Sequence, residues 1–156
     1  MDRSSWLVAA GLLVVVVAYA VLATLWVSSE PGWYARLDKP AFQPPDVVFG
    51  VIWPLNFLAL GVVGVLLSRS EPTRTALGLL VLLAVSAGFA VAWAYLFYVP
   101  HLLLPAALCL LVAVVLTWAL VALAWQANPA YGLALVVYAG WLTVATALAF
   151  AYARTN

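Results

Sequence analysis

The chain has 156 residues, of which 69% are hydrophobic and only 7% are charged, and its mean hydropathy is +1.18. Soluble domains carry about 25% charged residues, so this composition predicts a multi-pass integral membrane protein of one all-α domain. A formal net charge of +1 provides no basic surface for nucleic acid. The single cysteine, Cys109, excludes an intramolecular disulfide and is interpreted as a small apolar filler.

Five apolar runs are each long enough to cross a bilayer, which takes about 20 residues per helix. They lie at residues 6–27, 45–67, 74–98, 102–125 and 129–152, and they predict a bundle of five transmembrane helices. The first run is too long for a signal-peptide core and is interpreted as a retained span. Each side of the membrane would carry three basic residues, so the positive-inside rule leaves the orientation open, and the membrane itself is not indicated.

A proline-rich loop at residues 28–44 separates the first two spans. Pro40, Pro44 and the adjoining Pro45 each fix φ and remove an amide donor, so this segment cannot be one continuous helix. Trp33 and Tyr34 in the loop favour the membrane edge. Two interpretations stay open: an aromatic belt that holds the helices in register, and a lid over a cavity between the helices.

The second span carries a proline and one strongly polar residue. Pro54 removes the hydrogen bond to the Gly50 carbonyl and predicts a kink. Trp53, Asn56 and Phe57 are spaced to share one face of the helix. The Asn56 amide could hydrogen-bond a neighbouring helix or contact a ligand, and the sequence does not decide between the two.

The loop and the second span carry a family signature. The run W-Y-x-x-L-x-K-P, followed by P-P-x-x-x-F-x-x-x-W, resembles that of the translocator protein family, also called tryptophan-rich sensory proteins or peripheral-type benzodiazepine receptors. The resemblance extends to the overall length and the five spans. The matching residues are Trp33, Tyr34, Leu37, Lys39, Pro40, Pro44, Pro45, Phe49 and Trp53.

The third span has two rows of small residues, which let helix backbones approach closely. One row is Ala84, Gly88 and Ala92, and the other is Ser86, Ala90 and Ala94. Ordinary packing inside the bundle and a homodimer seam both explain such rows. The family resemblance favours a homodimer through the third span at Ala84, Gly88 and Ala92.

Two further aromatic runs resemble family patterns but depart from them. Trp93, Phe97 and Tyr98 are similar to N-x-x-W-x-x-x-F-F, with Ala90 at the asparagine position. In the last span, Tyr138, Trp141 and Ala145 share a face and are similar to P-Y-x-x-W, with Val137 in place of the proline. The family's later asparagine would fall at Ala149. Two amides that could bind polar ligand groups are therefore absent.

Few polar residues elsewhere suggest a site. The lone histidine, His101, lies at the end of a span and is interpreted as interfacial, because no second His, Asp or Glu within the membrane could complete a metal site. Leu148, Tyr152 and Arg154 fit a loose cholesterol-binding pattern. Tyr–Arg pairs at membrane interfaces also occur without any sterol, so this pattern remains a hypothesis.

The span interiors contain no Asp, Glu, Lys, Arg or His, which argues against ion-coupled transport, channels and hydrolysis. What remains is aromatic surface, which suits a flat and largely apolar ligand. No cofactor is predicted. The predicted ligand-binding residues are Trp33, Tyr34, Pro44, Phe49, Trp53, Asn56, Phe57, Trp93, Phe97, Tyr138, Trp141 and Ala145.

The family resemblance implies a cavity under the long loop that binds porphyrins, sterols and synthetic benzodiazepine-type ligands. We therefore expect a membrane sensor or carrier for a tetrapyrrole or sterol-like lipid, surrounded by membrane lipids. The resemblance also implies a second hypothesis, an enzyme of light- and oxygen-dependent porphyrin breakdown in which Trp53 and Trp141 act. A third hypothesis is a structural or partner-binding membrane protein that holds no small ligand.

Overall fold

A computed structural model describes residues 3–156, which form helices and connecting turns without any strand. The helices, in chain order, are α1 (Arg3–Val27), α2 (Pro31–Tyr34), α3 (Asp46–Ser70), α4 (Thr73–Tyr98), α5 (Leu103–Ala127) and α6 (Pro129–Thr155). All of them except α2 are long and apolar enough to cross a membrane. This confirms the predicted all-α membrane bundle.

The ends of the helices follow from local chemistry. The five long helices begin and end within three residues of the predicted spans. Pro129 occupies the first turn of α6, where its missing amide costs nothing, and the Asn128 side chain accepts a 2.9 Å hydrogen bond from the Ala130 amide. Pro54 lies inside α3, which continues unbroken to Ser70.

The long helices form a ring whose order differs from their order in the chain. Going around it, α3 packs on α1, α1 on α4, α4 on α5 and α5 on α6, and the ring closes where α6 makes a sparser contact with α3. The lid, defined as residues 28–44, the α4–α5 turn and the last residues of α6 lie at the same end of this ring. Three segments distant in sequence therefore meet there.

Between α4 and α5, one of the two small-residue rows is used inside the bundle. Ser86, Ala90 and Ala94 are fully buried, and the Ser86 hydroxyl lies 3.0 Å from the Ala113 carbonyl and 2.8 Å from the Thr117 hydroxyl. Gly88, in the other row, is exposed instead. Only the Ala84–Gly88–Ala92 row therefore remains available for contact outside the bundle.

Helices α1 and α3 are close together at the end of the ring opposite the lid. A Cβ added at Gly64 would lie 3.4 Å from Leu12, and one added at Gly61 would lie 3.6 Å from Leu13. Towards the lid the small residues give way to rings, and Tyr19 meets Phe57 edge to face at 5.0 Å. These rings hold the two helices apart and leave space between them.

Candidate ligand cavity

A cavity of about 470 Å³ lies inside the ring at its lid end. Its wall comes from α1, α3, α4 and α6, together with Ser28 and Tyr34 of the lid. The wall is mainly aromatic and aliphatic, and the one charged side chain among the lining residues is Asp46, at the first residue of α3. The cavity therefore offers shape and ring contact much more than charge.

The structure brings seven of the twelve predicted ligand-binding residues together in the cavity wall. They come from the lid and from three helices, as the family resemblance implied. These residues are Tyr34, Phe49, Trp53, Phe57, Trp93, Phe97 and Ala145. Whether they contact a ligand stays a prediction.

Asn56, Tyr138 and Trp141 lie behind the wall. On an α-helix, Asn56 and Phe57 are rotated to opposite sides of Trp53 by about 60° and 40°, so Phe57 reaches the cavity while Asn56 is buried. Tyr138 is fully buried and its hydroxyl lies 3.4 Å from that of Tyr19. Trp141 packs behind the wall with its ring centroid 5.2 Å from Phe49 and 6.4 Å from Trp53. These three residues shape the wall from outside.

Trp33 and Pro44 belong to the lid and do not line the cavity. The Trp33 ring stacks on His101 with 3.9 Å between centroids and 15° between planes, and it meets Phe97 edge to face at 5.6 Å. His101 has φ of 57°, a left-handed conformation that turns the chain between α4 and α5. Pro44 is half-buried just before α3. Trp33 thus fastens the lid to the α4–α5 turn.

The wall also contains residues that sequence reasoning missed, and four of them come from α1. Tyr19, Ala23, Thr24 and Val27 line the cavity. The sequence held a signal for them, because Tyr19 and Thr24 are the polar side chains of an otherwise apolar run. Nothing in their spacing links either residue to the aromatic residues of the other spans. The cavity is consequently formed by four long helices and the lid.

The end of α6 supplies three further wall residues, Leu148, Ala149 and Tyr152. Ala149 is a position where the family resemblance implies asparagine, so the missing amide leaves the wall apolar there. Ala90, the other such position, is buried in α4 and is not among the lining residues. In the cholesterol-binding pattern, Leu148 and Tyr152 face the cavity while Arg154 is exposed, so the three do not form one surface.

Hydrogen bonds fasten the lid to α6. The Tyr152 hydroxyl donates to the side-chain carbonyl of Gln43 and lies 3.2 Å from the Tyr34 hydroxyl. The Asp38 amide donates to the Asn156 side chain at 2.9 Å, and the Asn156 amide group returns a 3.4 Å bond to the Asp38 carbonyl. Together with the Trp33 stack, these contacts hold the lid closed over one end of the cavity.

The ion pair between Lys39 of the lid and Asp46 is weak by comparison. Lys39 Nζ lies 4.0 Å from Asp46 Oδ1, with the two side chains 44% and 80% exposed, and exposed pairs contribute about 0–1 kcal/mol. The lid is therefore held mainly by stacked rings and by hydrogen bonds to α6.

The chemistry available around the cavity consists of ring contact and a few hydrogen-bond donors. The indole N–H groups of Trp93 and Trp141 and the Asn56 amide nitrogen are buried without a hydrogen-bond partner among residues 3–156. Within the same residues no group of three or more His, Cys, Asp or Glu could hold a metal ion. The arrangement suits recognition of an apolar molecule by shape.

Comparison with known proteins agrees with the signature in the loop. Residues 9–154 match the model of the TspO/MBR family. The chain is also similar to Protein CrtK of Rhodobacter capsulatus, with 31% identity over 136 residues that cover 86% of this chain and 84% of that protein. The family match spans the lid and nearly all of the four helices of the cavity wall.

Proposed function

The chain belongs to the TspO/MBR family, and from that premise we propose that it is a sensor or carrier that binds flat, largely apolar molecules beneath its lid. Family membership indicates a binding or sensing role in the membrane. The finer proposal is that porphyrins or sterol-like lipids occupy the cavity. Seven of the predicted residues line that cavity, and this grouping is the observation that supports the proposal.

The size and the rings of the cavity support a flat ligand. Its volume of about 470 Å³ falls within the range of roughly 300–1,000 Å³ that small-molecule sites occupy. Trp53 and Phe57 lie nearly parallel at 5.8 Å and 26°, and Tyr19 stands at 83° to Trp53. Rings at right angles offer both face and edge contacts to a planar molecule.

The test is a titration of the detergent-purified protein with protoporphyrin IX, followed by ligand absorbance and tryptophan quenching. Trp53→Ala removes one of the two indole rings of the wall, and we expect roughly two- to tenfold weaker binding because an aromatic contact contributes about 0.5–1.5 kcal/mol. Trp6→Ala is the matched control, since Trp6 is 63% exposed at the start of α1. Its affinity should equal that of the unmodified protein.

Two results would count against the proposal. One is the absence of saturable binding by the unmodified protein, and the other is equal affinity in the Trp53→Ala and Trp6→Ala variants. Mass spectrometry of molecules that copurify provides an independent measurement. Recovery of a partner protein with no tetrapyrrole or lipidic molecule would support the structural, partner-binding alternative instead.

The porphyrin-degrading alternative predicts different effects for substitutions of Trp53 and Trp141. Trp53 lines the cavity, whereas Trp141 lies behind it, with the two ring planes at 87°. If the protein degrades protoporphyrin under light and oxygen, Trp53→Phe should reduce product formation more than Trp141→Phe does. Binding without any loss of ligand absorbance under illumination in air would leave the sensor or carrier function alone.

A further inference from the structure

The exposed residues of the cavity wall all lie on one side. They are Thr24 and Val27 at the end of α1, Ser28 directly after it, and Asp46, Gly50 and Pro54 at the start of α3. The lining residues of α6 are all buried, and those of α4 are buried or half-buried. We propose that these six residues frame a mouth through which the cavity opens sideways into the bilayer, and that the ligand enters there from the lipid.

The mouth exists because α1 and α3 diverge. The helices approach closely at Gly64 and Leu12, whereas nearer the lid the Tyr19 ring of α1 stands between them and meets the α3 rings of Phe57 at 5.0 Å and Trp53 at 6.4 Å. A Cβ added at Gly50 would meet nothing within 4 Å. The gap therefore continues from the ring pair to the lid end of the two helices.

The mouth lies at a depth that lipid acyl chains reach. Asp46 and Pro54 are eight residues apart on α3, which corresponds to about 12 Å along the helix axis at 1.5 Å per residue. Asp46 is at the end of the span, where headgroups begin, so Pro54 lies within the hydrocarbon. A molecule dissolved in the bilayer can reach the cavity through this opening without passing through water.

The chemistry of the mouth suits an apolar ligand. The Thr24 hydroxyl donates to the Ala20 carbonyl at 2.7 Å, and the Ser28 hydroxyl donates to the Thr24 carbonyl at 2.8 Å. Both hydroxyls thus donate to carbonyls of α1 and need no water in the opening. Gly50 adds no side chain, and Pro54 adds no amide.

The route through the lid is closed by comparison. It would require breaking the Tyr152–Gln43 bond, the two Asp38–Asn156 bonds or the Trp33–His101 stack. The side opening requires none of these contacts to break. A substitution can therefore affect one route and leave the other unchanged, so that ligand-exchange rates distinguish entry through the lid from entry through the mouth.

This inference rests on the proposed function to the extent that a ligand occupies the cavity. The first measurement uses stopped-flow tryptophan quenching by protoporphyrin IX, with the protein in lipid nanodiscs. Gly50→Leu narrows the mouth, and we expect association and dissociation both to slow by about tenfold while the equilibrium affinity changes much less. Gly78→Leu is the matched control, because Gly78 is an exposed helical glycine outside the cavity wall with nothing within 4 Å of an added Cβ.

Asn156 is not among the residues that line the cavity, so Asn156→Ala loosens the lid while the side chains of the wall stay in place, and it separates the two routes. If the ligand enters from the lipid, this variant should exchange ligand at the unmodified rate. Faster exchange in Asn156→Ala together with unchanged rates in Gly50→Leu would overturn the proposal and assign the route to the lid.

A second measurement needs no porphyrin and therefore separates failure of the opening from failure of the proposed function. Lipids brominated in the acyl chain quench tryptophans that the chain reaches, and the difference between the unmodified protein and Trp53→Phe isolates Trp53. An open mouth predicts quenching of Trp53 that falls in Gly50→Leu and persists in Gly78→Leu. If bromolipids leave Trp53 unquenched, no lateral opening exists, whatever the ligand.

Discussion

Tyr152 shows how one residue joins the cavity to its lid. Its ring lines the cavity and lies 5.9 Å from Tyr34 and 5.7 Å from Phe97, while its hydroxyl reaches Gln43. In the sequence, Tyr152 drew attention only as part of a loose sterol pattern. The structure gives it a different position, because α6 turns Tyr152 inward and leaves Arg154 outside.

We expect Tyr152→Phe to loosen the lid while leaving the bundle intact. The ring contacts remain, but Gln43 loses a partly buried hydrogen bond worth about 1 kcal/mol. Amide hydrogen exchange in residues 35–44 should therefore become about fivefold faster, with α5 unaffected. Tyr95→Phe is the control, since Tyr95 is exposed near the same end of the bundle. Equal lid exchange in both variants would show that Tyr152 does not hold the lid.

Side-chain direction is where prediction at the residue scale stops. Trp53 and Phe57 were expected in the cavity and line it, whereas Asn56 between them is buried behind it. A membrane helix is apolar on every side, so its hydropathy pattern does not distinguish the face toward the cavity from the face toward a neighbouring helix. Spacing alone grouped all three residues on one broad face.

At the scale of helices, prolines, polar residues and length determine most boundaries. Pro45, Pro72 and Pro129 lie at or beside the first residues of α3, α4 and α6, and apolar length defines the rest. The short helix α2 was not predicted within the loop. It has only four residues, and its position depends on the Trp33 stack with His101, a contact between segments far apart in the chain.

The close approach of Gly132 in α6 to Trp125 in α5 leads to a prediction about the packing of these two helices. A Cβ added at Gly132 would lie 2.6 Å from Trp125 Cε3 and 2.8 Å from its Cα. Backbone cannot move aside cheaply, so we expect Gly132→Ala to destabilise the protein by about 1–3 kcal/mol. At Gly140, on the same helix, an added Cβ meets nothing within 4 Å, and Gly140→Ala should be neutral or stabilising. Thermal unfolding in one detergent compares the two, and equal melting temperatures would contradict this packing.

At the scale of the whole molecule, the order of the helices around the ring was the feature that could least be predicted from the sequence. In the chain α3 is followed by α4, yet in the ring α1 lies between them. That placement brings Tyr19 against Trp53 and Phe57 and makes α1 part of the cavity wall. Apolar spans carry little information about which of them are neighbours. The cavity was therefore predicted from the family resemblance and from aromatic residues on three helices, and the contribution of α1 to its wall was not predicted.

The predicted homodimer through α4 also concerns the whole molecule. The two rows of small residues on α4 differ in whether they are buried inside the bundle. Ser86, Ala90 and Ala94 are occupied by packing within the bundle, whereas Gly88 is exposed and an added Cβ there meets nothing within 4 Å. Without a hydrophobic driving force between helices in lipid, close backbone approach at small residues favours association. A large side chain at Gly88 would block that approach without disturbing the monomer.

We therefore expect Gly88→Leu to convert the dimer to a folded monomer with an unchanged melting temperature. Ala90→Leu should instead lower the melting temperature, because Ala90 is fully buried, and Gly78→Leu should change neither property. Light scattering in detergent gives the oligomeric state, and subunit counting by single-molecule photobleaching in liposomes repeats it in a bilayer. Because Gly88 is free of the bundle's own packing, a dimer that survives Gly88→Leu must use another surface. A protein that is monomeric before any substitution would contradict the prediction directly.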